Sequence, residues 1–434
     1  PTAVPGLELI AAIERTESFG LFQQETTDPD ADPPIIEDFA AIGSNNDNEQ
    51  TVYSLQGRYA VSEQIEFEAR TAFVDNEFAI PPTNPIFDLA QDNESFSAEA
   101  LIRATDIGFL NRAVFGVTYE RQTDVGENVP AALPLSFDGE IESVGIFGEL
   151  EIGVTEKLAL IAGARLEIDD RERELTFAAD EAELDISDTQ IIPRLGLRYD
   201  FSEDLTVGYF YSEGYRPGGI DFDFLNLVAG ATTYGPETLR QHEVFARARF
   251  LDGRATLNVS GFYYEFDDAQ ISGAGPGGLF GNVPKARGIG GEAEATFALA
   301  GGVTVGGALG LLDAKITDPG PNLAEFDGAE LPRAPNLTLS GFVAYQSDFG
   351  FDARAQIRHI GSRVAALDSP TSPSYTIVDF SAGYEFAVGE NAYLRIEAFV
   401  QNLADEDVVI SAFEDGSEVV GRPRTIGIGG TIRF

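Results

Sequence analysis

The sequence predicts an all-β protein: an antiparallel transmembrane β-barrel of about eighteen strands, and of up to about twenty-two if strands are missed. Three observations predict this fold. Short turns alternate with long loops, strand-like segments carry apolar residues on one parity and charged residues on the other, and the chain ends on an alternating strand with Phe434 last. Alternate side chains of a strand point to opposite faces, so a wall between lipid and water produces this alternation.

Turn lengths assign the two ends of the predicted barrel. Tight hairpins need small, polar or glycine residues, and such turns occur at residues 62–64, 155–157, 202–204, 252–254, 300–302 and 348–350. Longer connectors rich in Asp, Pro, Gly and Asn lie near residues 23–50, 80–92, 122–138, 217–235, 273–279, 318–331, 364–373 and 404–421. Short turns at one end and long loops at the other are typical of a barrel with periplasmic turns and extracellular loops.

The segments between these connectors are the predicted strands. They cover residues 7–22, 51–61, 65–79, 93–104, 108–121, 139–154, 157–177, 184–201, 204–216, 236–251, 254–272, 279–299, 302–317, 332–347, 350–362, 374–386, 391–403 and 422–434. An even number of strands places both chain ends at the short-turn end. We expect residues 1–434 to form this single barrel domain, with no plug domain.

Charges and aliphatic side chains separate onto opposite parities within the predicted strands. In residues 157–168 one parity is aliphatic and the other carries Arg165 and Glu167, although Ile161 interrupts it. A charge on the lipid face costs roughly 2–4 kcal/mol at the bilayer midplane, so the charged parity faces the lumen. The lumen-lining candidates are Arg165, Glu167, Arg216, Arg395 and Glu397. We expect these residues to form ion pairs in the lumen. The pairs either join neighbouring strands of the wall, or the residues contact solute or a plug.

The last strand has the pattern of a barrel closing strand. Ile426, Ile428, Ile432 and Phe434 share one parity, and polar residues occupy the other. Outer-membrane barrels end on such a strand with a terminal aromatic residue. A soluble sheet or propeller shows the same alternation in one strand, but its repetition along the chain favours the membrane barrel.

Composition excludes several classes of protein. The net charge of −44, from 28 basic and 72 acidic residues, argues against nucleic-acid binding. It favours cationic ligands or bridging divalent ions, or it keeps exposed loops soluble. The absence of Cys excludes disulfides and thiolate metal sites and fits an envelope compartment. The chain also lacks Trp, which interfacial girdles of barrels usually contain.

No catalytic constellation appears, so we expect a protein that is not an enzyme. His242 and His359 are far apart, and polar wall positions explain them better than a metal site. The glycines of residues 288–291 suit close strand approach or a bulge rather than phosphate binding. No cofactor is expected. The acidic residues 26–32 offer oxygen ligands for loop-bound calcium, with a solvated loop as the alternative.

One long loop combines aromatic and acidic residues suited to capturing a solute. The capture candidates in residues 217–235 are Asp221, Phe222, Asp223, Phe224 and Tyr234. Loops at the rim of a rigid wall often carry binding residues. Packing of one loop on another explains the same composition.

Several segments resemble TonB-dependent outer-membrane receptors. Residues 211–219, Tyr-Ser-Glu-Gly-Tyr-Arg-Pro-Gly-Gly, resemble a characteristic strand end of that family. Further similar segments follow the family order at residues 163–167, 193–200, 236–243, 258–270, 290–294, 331–335 and 400–405. Together with the closing strand, they extend the resemblance over roughly residues 93–434. Neither a plug domain nor an energy-coupling segment is recognisable.

This resemblance implies a bacterial outer-membrane barrel that imports a scarce nutrient, such as an iron–siderophore complex, cobalamin or a saccharide. The implied partners are outer-membrane lipid and lipopolysaccharide, the nutrient itself and, where a plug exists, an inner-membrane energy-coupling complex. The family barrel has about twenty-two strands. This sequence predicts about eighteen strands and no plug domain. A plug-less, porin-like passive pore and a structural anchor of a larger assembly therefore remain as alternatives.

Overall fold

Eighteen antiparallel strands form one sheet in the computed structural model of the chain. The structure describes residues 6–21, 24–28, 35–38, 45–84, 87–128, 135–177, 180–222, 231–389, 392–412 and 418–434. Each of these strands except the last pairs with the next wall strand along the chain. The predicted antiparallel barrel wall and its number of strands are therefore confirmed.

Numbered in chain order with the shorter loop strands, the wall strands have the following bounds: β1 (Leu7–Leu21), β4 (Asn45–Ala60), β5 (Ile65–Asn84), β6 (Phe87–Ile107), β7 (Leu110–Asn128), β8 (Leu135–Gly153), β9 (Leu158–Phe177), β10 (Asp180–Ser202), β11 (Leu205–Arg216), β14 (Glu237–Phe250), β15 (Ala255–Ser272), β16 (Phe280–Ala298), β17 (Val303–Asp318), β18 (Leu337–Gln346), β19 (Phe351–Ile360), β22 (Tyr375–Ala387), β23 (Tyr393–Gln401) and β26 (Thr425–Arg433). The loop strands are β2 (Gln24–Asp28), β3 (Ile35–Asp38), β12 (Gly219–Phe222), β13 (Ala231–Tyr234), β20 (Arg363–Val364), β21 (Thr371–Ser372), β24 (Val409–Ala412) and β25 (Glu418–Val420). Short 3-10 turns lie at Pro276–Gly278, Ala300–Gly302 and Ala324–Phe326.

The long-loop end contains more strand than the sequence indicates. Most of residues 80–92 and 122–138, predicted as loops, extend β5 to β8 beyond their predicted ends. Polar composition suggested loops there, but a strand that projects above the membrane needs no apolar face. At the same end β24, β25, β2 and β3 form a small sheet, so the loop after the first wall strand pairs with the loop before the last. Among the described residues, no helix is long and apolar enough to cross a membrane.

Strand register separates an aliphatic outer face from a charged inner face. On β9 and β10, Leu160 lies opposite Leu197 and Leu166 opposite Ile191, and Ile191 is 68% exposed. The closing strand follows the same rule, because the opposite parity of β26 is polar. Its outer-face pairs with β23 are Ile426 with Val400, Ile428 with Ala398 and Ile432 with Leu394, and the terminal Phe434 is 95% exposed.

Tyrosine and phenylalanine form the interfacial bands that would otherwise use tryptophan. Towards the long loops, the rings of Tyr53 and Phe73 lie 6.3 Å apart, and those of Phe96 and Tyr119 lie 6.1 Å apart. At the short-turn end, Tyr199 and Phe201 pack edge to face at 4.6 Å, and Tyr384 and Phe386 lie 5.9 Å apart. Amphipathic rings at both edges of an aliphatic band are characteristic of transmembrane barrels.

Glycines on the inner face lie under aromatic rings of the neighbouring strand. A Cβ added to Gly208 would lie 2.4 Å from the Phe245 ring, and one added to Gly288 would lie 2.2 Å from the Tyr264 ring. The same arrangement recurs at Gly116 with Phe147, Gly126 with Phe137, Gly196 with Phe210, Gly290 with Phe262, Gly306 with Phe342 and Gly427 with Phe399. Rings laid flat over glycine cover backbone that would otherwise be bare. The close approach predicted for residues 288–291 is confirmed.

Carboxylates face one another across strands on the outer rim above the aliphatic band. Glu172 on β9 lies directly opposite Glu140 on β8 and Asp185 on β10. Two residues further along, Glu174 lies opposite Asp138 and Glu183. Like charges directly opposite one another destabilise a sheet. The acidic excess of the chain is therefore concentrated, in part, on this rim.

Replacing the central carboxylate of one such row should stabilise the wall. We expect Glu172→Lys to convert the repulsive pair with Asp185 into an attractive one worth roughly 0.2–1 kcal/mol, with a smaller gain from Glu140, because Arg121 already pairs with that carboxylate. The gain should appear as a higher urea midpoint at low salt, and it should shrink in about 1 M salt, where screening acts over roughly 3 Å. Glu172→Gln, which only removes repulsion, should give about half the gain. An unchanged midpoint for both variants at low salt would contradict the repulsion.

Candidate functional site

The lumen-lining candidates Arg165 and Glu167 lie together on the inner face of β9. The Arg165 guanidinium donates from Nη2 to Glu167 Oε1 at 3.0 Å and to Thr118 Oγ1 on β7 at 2.8 Å. It also lies 5.7 Å from the centre of the Phe147 ring on β8. These residues border a recess of about 480 Å³ in the inner wall. The pair presents a fixed, nearly neutral polar surface to the lumen.

Arg395 and Glu397 form a second group on the inner face of β23. The Arg395 guanidinium donates to Glu397 Oε2 at 2.8 Å and to Asp352 Oδ2 on β19 at 2.9 Å. The sequence analysis missed Asp352, because 43 residues separate it from Arg395 and no local pattern joins them. The two groups lie far apart along the sheet, so they form two wall networks and not one shared site.

Arg216 ends β11 at the long-loop end, and its side chain is exposed. The ion pair expected for it is not among those of the described residues. Its backbone carbonyl instead belongs to the hydrogen-bonded base of the loop that follows. Arg216 therefore lies at the start of the loop of residues 217–235, which we call the capture loop, and not in an ion-pair network of the wall.

The capture loop carries its candidates on a short hairpin made by β12 and β13. Asp221 Oδ2 accepts a hydrogen bond from the backbone N–H of Phe280 at 2.8 Å. The Tyr234 ring lies 5.9 Å from the Phe280 ring at the start of β16. Asp223, Phe224 and the side chain of Phe222 lie outside the described residues. The two described side chains thus attach the hairpin to the neighbouring wall strand.

A buried glutamine that the sequence analysis did not single out holds the base of this loop. Gln270 on β15 is 7% exposed, and its Nε2 donates to the carbonyls of Pro217 at 2.8 Å and Gly235 at 3.0 Å. Asn282 on β16 donates to the same Gly235 carbonyl at 3.0 Å and accepts from the Gly235 N–H at 2.6 Å. Both strands of the loop base are therefore tied to one point. A lone Gln in a strand gives no sequence signal for this role.

Removing the Gln270 amide should release the capture loop. Gln270→Ala leaves the Pro217 carbonyl without its donor and the Gly235 carbonyl with Asn282 alone, which costs about 1–3 kcal/mol. We expect faster hydrogen exchange in β12 and β13 and earlier proteolytic cleavage within residues 217–235. The matched control is Gln64→Ala at the short-turn end, where an exposed amide donates to the Asp106 carbonyl at 2.7 Å. Equal exchange of the loop in wild type and Gln270→Ala would show that the loop base is held by other contacts.

Two apolar clusters draw the long loops onto the inner face at the extracellular mouth. In the first cluster, Ile220 of the capture loop packs on wall residues Leu89, Leu135, Leu175 and Leu184. In the second cluster, loop residues Leu323, Phe326, Leu331 and Leu367 pack around wall residues Val283, Ala286 and Ile316. Val283 and Ile316 are both 0% exposed. The loops therefore cover part of the mouth rather than extend from the rim.

The described residues hold no group of three or more His, Asp or Glu side chains arranged to bind a metal ion. The side chains of the acidic residues 26–32, where loop-bound calcium was considered, lie outside the described residues. Both histidines take up polar positions on the outer face. His242 Nδ1 lies 2.8 Å from the Tyr209 hydroxyl, and His359 Nδ1 lies 2.9 Å from the Thr376 hydroxyl.

Comparison with known proteins shows which family has this sequence and this wall. The family described as TonB dependent receptor-like, beta-barrel matches residues 13–403. The ferrichrome outer membrane transporter/phage receptor of Escherichia coli K12 is 25% identical over 256 residues, which are 57% of this chain and 32% of the transporter. The chain thus matches about a third of that relative's length.

Solved structures show the same wall. The ferric yersiniabactin uptake receptor FyuA from Yersinia pestis superimposes with a TM-score of 0.82 at 18% identity, over 98% of this chain and 68% of that one. The ferric-catecholate import receptor Fiu from Escherichia coli K12 gives a TM-score of 0.78 at 16% identity, over 98% of this chain and 72% of that one. At such identities the likeness concerns the fold.

Proposed function

The chain belongs to the TonB-dependent receptor β-barrel family of the bacterial outer membrane, and on that premise we propose that it takes up a scarce nutrient, with an iron–siderophore complex as the first candidate. Its relatives are outer-membrane receptors and transporters, and those with similar structures include receptors for ferric yersiniabactin and ferric catecholates. Cobalamin and saccharides are the other nutrient classes to test. Energy for uptake comes, in this proposal, from an inner-membrane complex acting through a plug.

The observation that carries the proposal is the inward folding of the long loops. Ile220 and Leu367 are both buried against the inner wall, so two separate loops reach over the lumen. Binding residues in such proteins lie on loops that a rigid scaffold positions. A receptor needs such anchored loops, because a captured solute must meet loops held in place.

Ligand capture is tested by fluorescence, since the chain has no tryptophan of its own. The indole introduced by Tyr234→Trp reports on the capture loop, and a bound ferric complex quenches it. The probes are a ferric hydroxamate, a ferric catecholate, ferric citrate, cobalamin and a maltodextrin. The same indole in Gln64→Trp, at the short-turn end, controls for absorption of light by the ligand.

Saturable quenching of the loop indole by one ferric complex, with none at the control position, supports uptake of that class. Quenching that rises linearly and equally at both positions with every probe would overturn the receptor function. Conductance of the purified chain in a planar bilayer then separates the alternatives. A large, steady current without ligand binding indicates a porin-like pore. The absence of current, together with proteins that copurify in stoichiometric amounts, indicates a structural anchor.

A further inference from the structure

The base of the capture loop contains a carboxyl group inside a network of backbone hydrogen bonds. Glu237 is the first residue of β14, shortly after the loop, and its side chain is half-buried. Its Oε2 accepts a hydrogen bond from the backbone N–H of Gln270 on β15 at 2.7 Å. The side-chain amide of the same Gln270 holds the Pro217 and Gly235 carbonyls at the two ends of the loop. Glu237 therefore acts on the residue that ties the loop to the wall.

The end of a strand ladder explains why a side chain, and not a strand, accepts this N–H. Pairing of β14 with β15 ends at Thr238 and Asp267. The next residue of β15, Asp268, adopts a left-handed φ of 53°, so the regular ladder on this side does not continue. A buried backbone N–H needs an acceptor. The Glu237 side chain supplies that acceptor where β14 no longer does.

Opposing influences act on the charge of this carboxyl group. Burial raises the pKa of Glu237, whereas the hydrogen bond from the Gln270 N–H and the Arg216 guanidinium lower it, and burial prevails. Arg216 lies directly opposite Glu237 on β11. In the closed loop base, Glu237 therefore holds its proton to a higher pH than a hydrated glutamate does.

The other titratable groups at the loop base lie on the neighbouring elements. β15 contributes Asp267, to which Arg240 donates, and Asp268. The capture hairpin contributes Asp221, which accepts the N–H of a residue on β16, and Tyr234, whose ring packs on that same residue. From β16 itself come Lys285, 3.8 Å from Asp267, and the neutral Asn282. Arg216 is the cation that acts on Glu237.

We propose that Glu237 is a proton-sensitive latch, which holds the base of the capture loop closed in acid and loosens it when the carboxyl group loses its proton. In acid, the neutral carboxyl group still accepts the Gln270 N–H, and no charge is buried. At neutral pH the same contact keeps a carboxylate partly out of water, which is unfavourable. Opening the loop base returns that carboxylate to water, so deprotonation favours the open state.

Acid favours the closed loop base because the two states bind a proton with different affinity. In the open state the Glu237 carboxyl group meets water, and its pKa returns to the ordinary value of about 4.3. The closed state binds the proton more tightly. Its stability is therefore greatest below the ordinary pKa and falls as pH rises through the raised pKa of the closed state. The capture loop is thus more mobile in neutral than in acidic surroundings.

Hydrogen exchange of the full chain at about pH 5 and pH 7.5 tests the latch, with each rate divided by the intrinsic rate at the same pH. In wild type we expect the opening equilibrium of the Gln270 amide and of β12 and β13 to be at least about threefold larger at pH 7.5. Glu237→Gln keeps an acceptor without a charge, so its protection should be high and equal at both pH values. Glu237→Ala removes the acceptor and should be open at both. The matched control is Glu265→Gln on β15, because Glu265 is exposed.

Protection that changes with pH in wild type and Glu265→Gln, but not in Glu237→Gln, supports the latch. Equal protection of wild type at both pH values, or a loop that is more open in acid, overturns it. A wild-type pH dependence in Glu237→Gln also overturns it, because another group is then responsible.

Arg216→Gln adds a test of the electrostatic cause. Without the opposing cation, the midpoint of the pH dependence should move to higher pH. An unchanged or lower midpoint contradicts the role of the Glu237 charge. No ferric ligand enters these measurements, so the latch can fail while nutrient uptake stands, and the reverse.

Discussion

Gly290→Ala should destabilise the wall by about 2–3 kcal/mol, the cost of overpacking a site that cannot relax. A Cβ at Gly290 would lie 2.5 Å from the backbone carbonyl oxygen of Leu311 and 2.6 Å from the Phe262 ring. The ring can rotate away, but the carbonyl belongs to the next wall strand. Relief therefore requires β16 and β17 to separate, which weakens their shared hydrogen bonds.

Urea unfolding of the purified chain measures this loss, with Gly261→Ala as the matched control. Gly261 lies on the adjacent strand, and its added Cβ would make only an ordinary contact at 3.7 Å with Val244. We expect the control to keep its unfolding midpoint or gain slightly, since Ala favours a strand over Gly. Equal midpoints for Gly290→Ala and Gly261→Ala would show that the close approach of the Leu311 carbonyl does not constrain the inner wall at Gly290.

Ile316→Ala should cost about 3 kcal/mol and free two extracellular loops together. Ile316 is 0% exposed at the centre of the second mouth cluster, and large-to-small changes at such sites leave a cavity that costs 2–5 kcal/mol. Leu323 and Phe326 from one loop and Leu367 from another pack in the same cluster. Both loops should therefore lose their anchor at once.

Limited proteolysis distinguishes this local effect from unfolding of the wall. We expect early cleavage within residues 318–331 and 361–374, while the wall strands remain protected. Ile357→Ala is the control of equal size change, because Ile357 is 44% exposed on the outer face. Loops cleaved at the wild-type rate in Ile316→Ala would contradict an anchoring role for the cluster. If the loops capture solute, their release should also weaken quenching of the Tyr234→Trp indole by a ferric complex.

Much of the wall could be predicted from the sequence because each strand carries its own signal. The alternation of Leu160 and Leu166 with Arg165 and Glu167 depends only on which face of one strand meets lipid. The turns at residues 62–64 and 348–350 likewise carry their chemistry locally. Strand ends were less certain, since β5 and β6 continue above the membrane, where no apolar face is required.

The candidate site was predictable only where its partners are neighbours in sequence. Arg165 and Glu167 are two residues apart on one strand face, so their pairing follows from alternation. Arg395 and Asp352 are 43 residues apart, and only register across two other pairings brings them together. The sequence shows that glycine and phenylalanine are abundant, with 46 and 32 residues. It does not show that the phenylalanine rings lie over the glycines, which follows from the register of neighbouring strands.

The sequence by itself thus determined the class of fold, the number of wall strands, the two ends of the barrel and the faces of its strands, because these follow from periodicity and turn chemistry along the chain. Only the tertiary structure decided how the loops fold. Ile220 reaches Leu175, and Gln270 holds Pro217 and Gly235, through contacts between segments distant in sequence. Such contacts depend on register and curvature of the whole sheet.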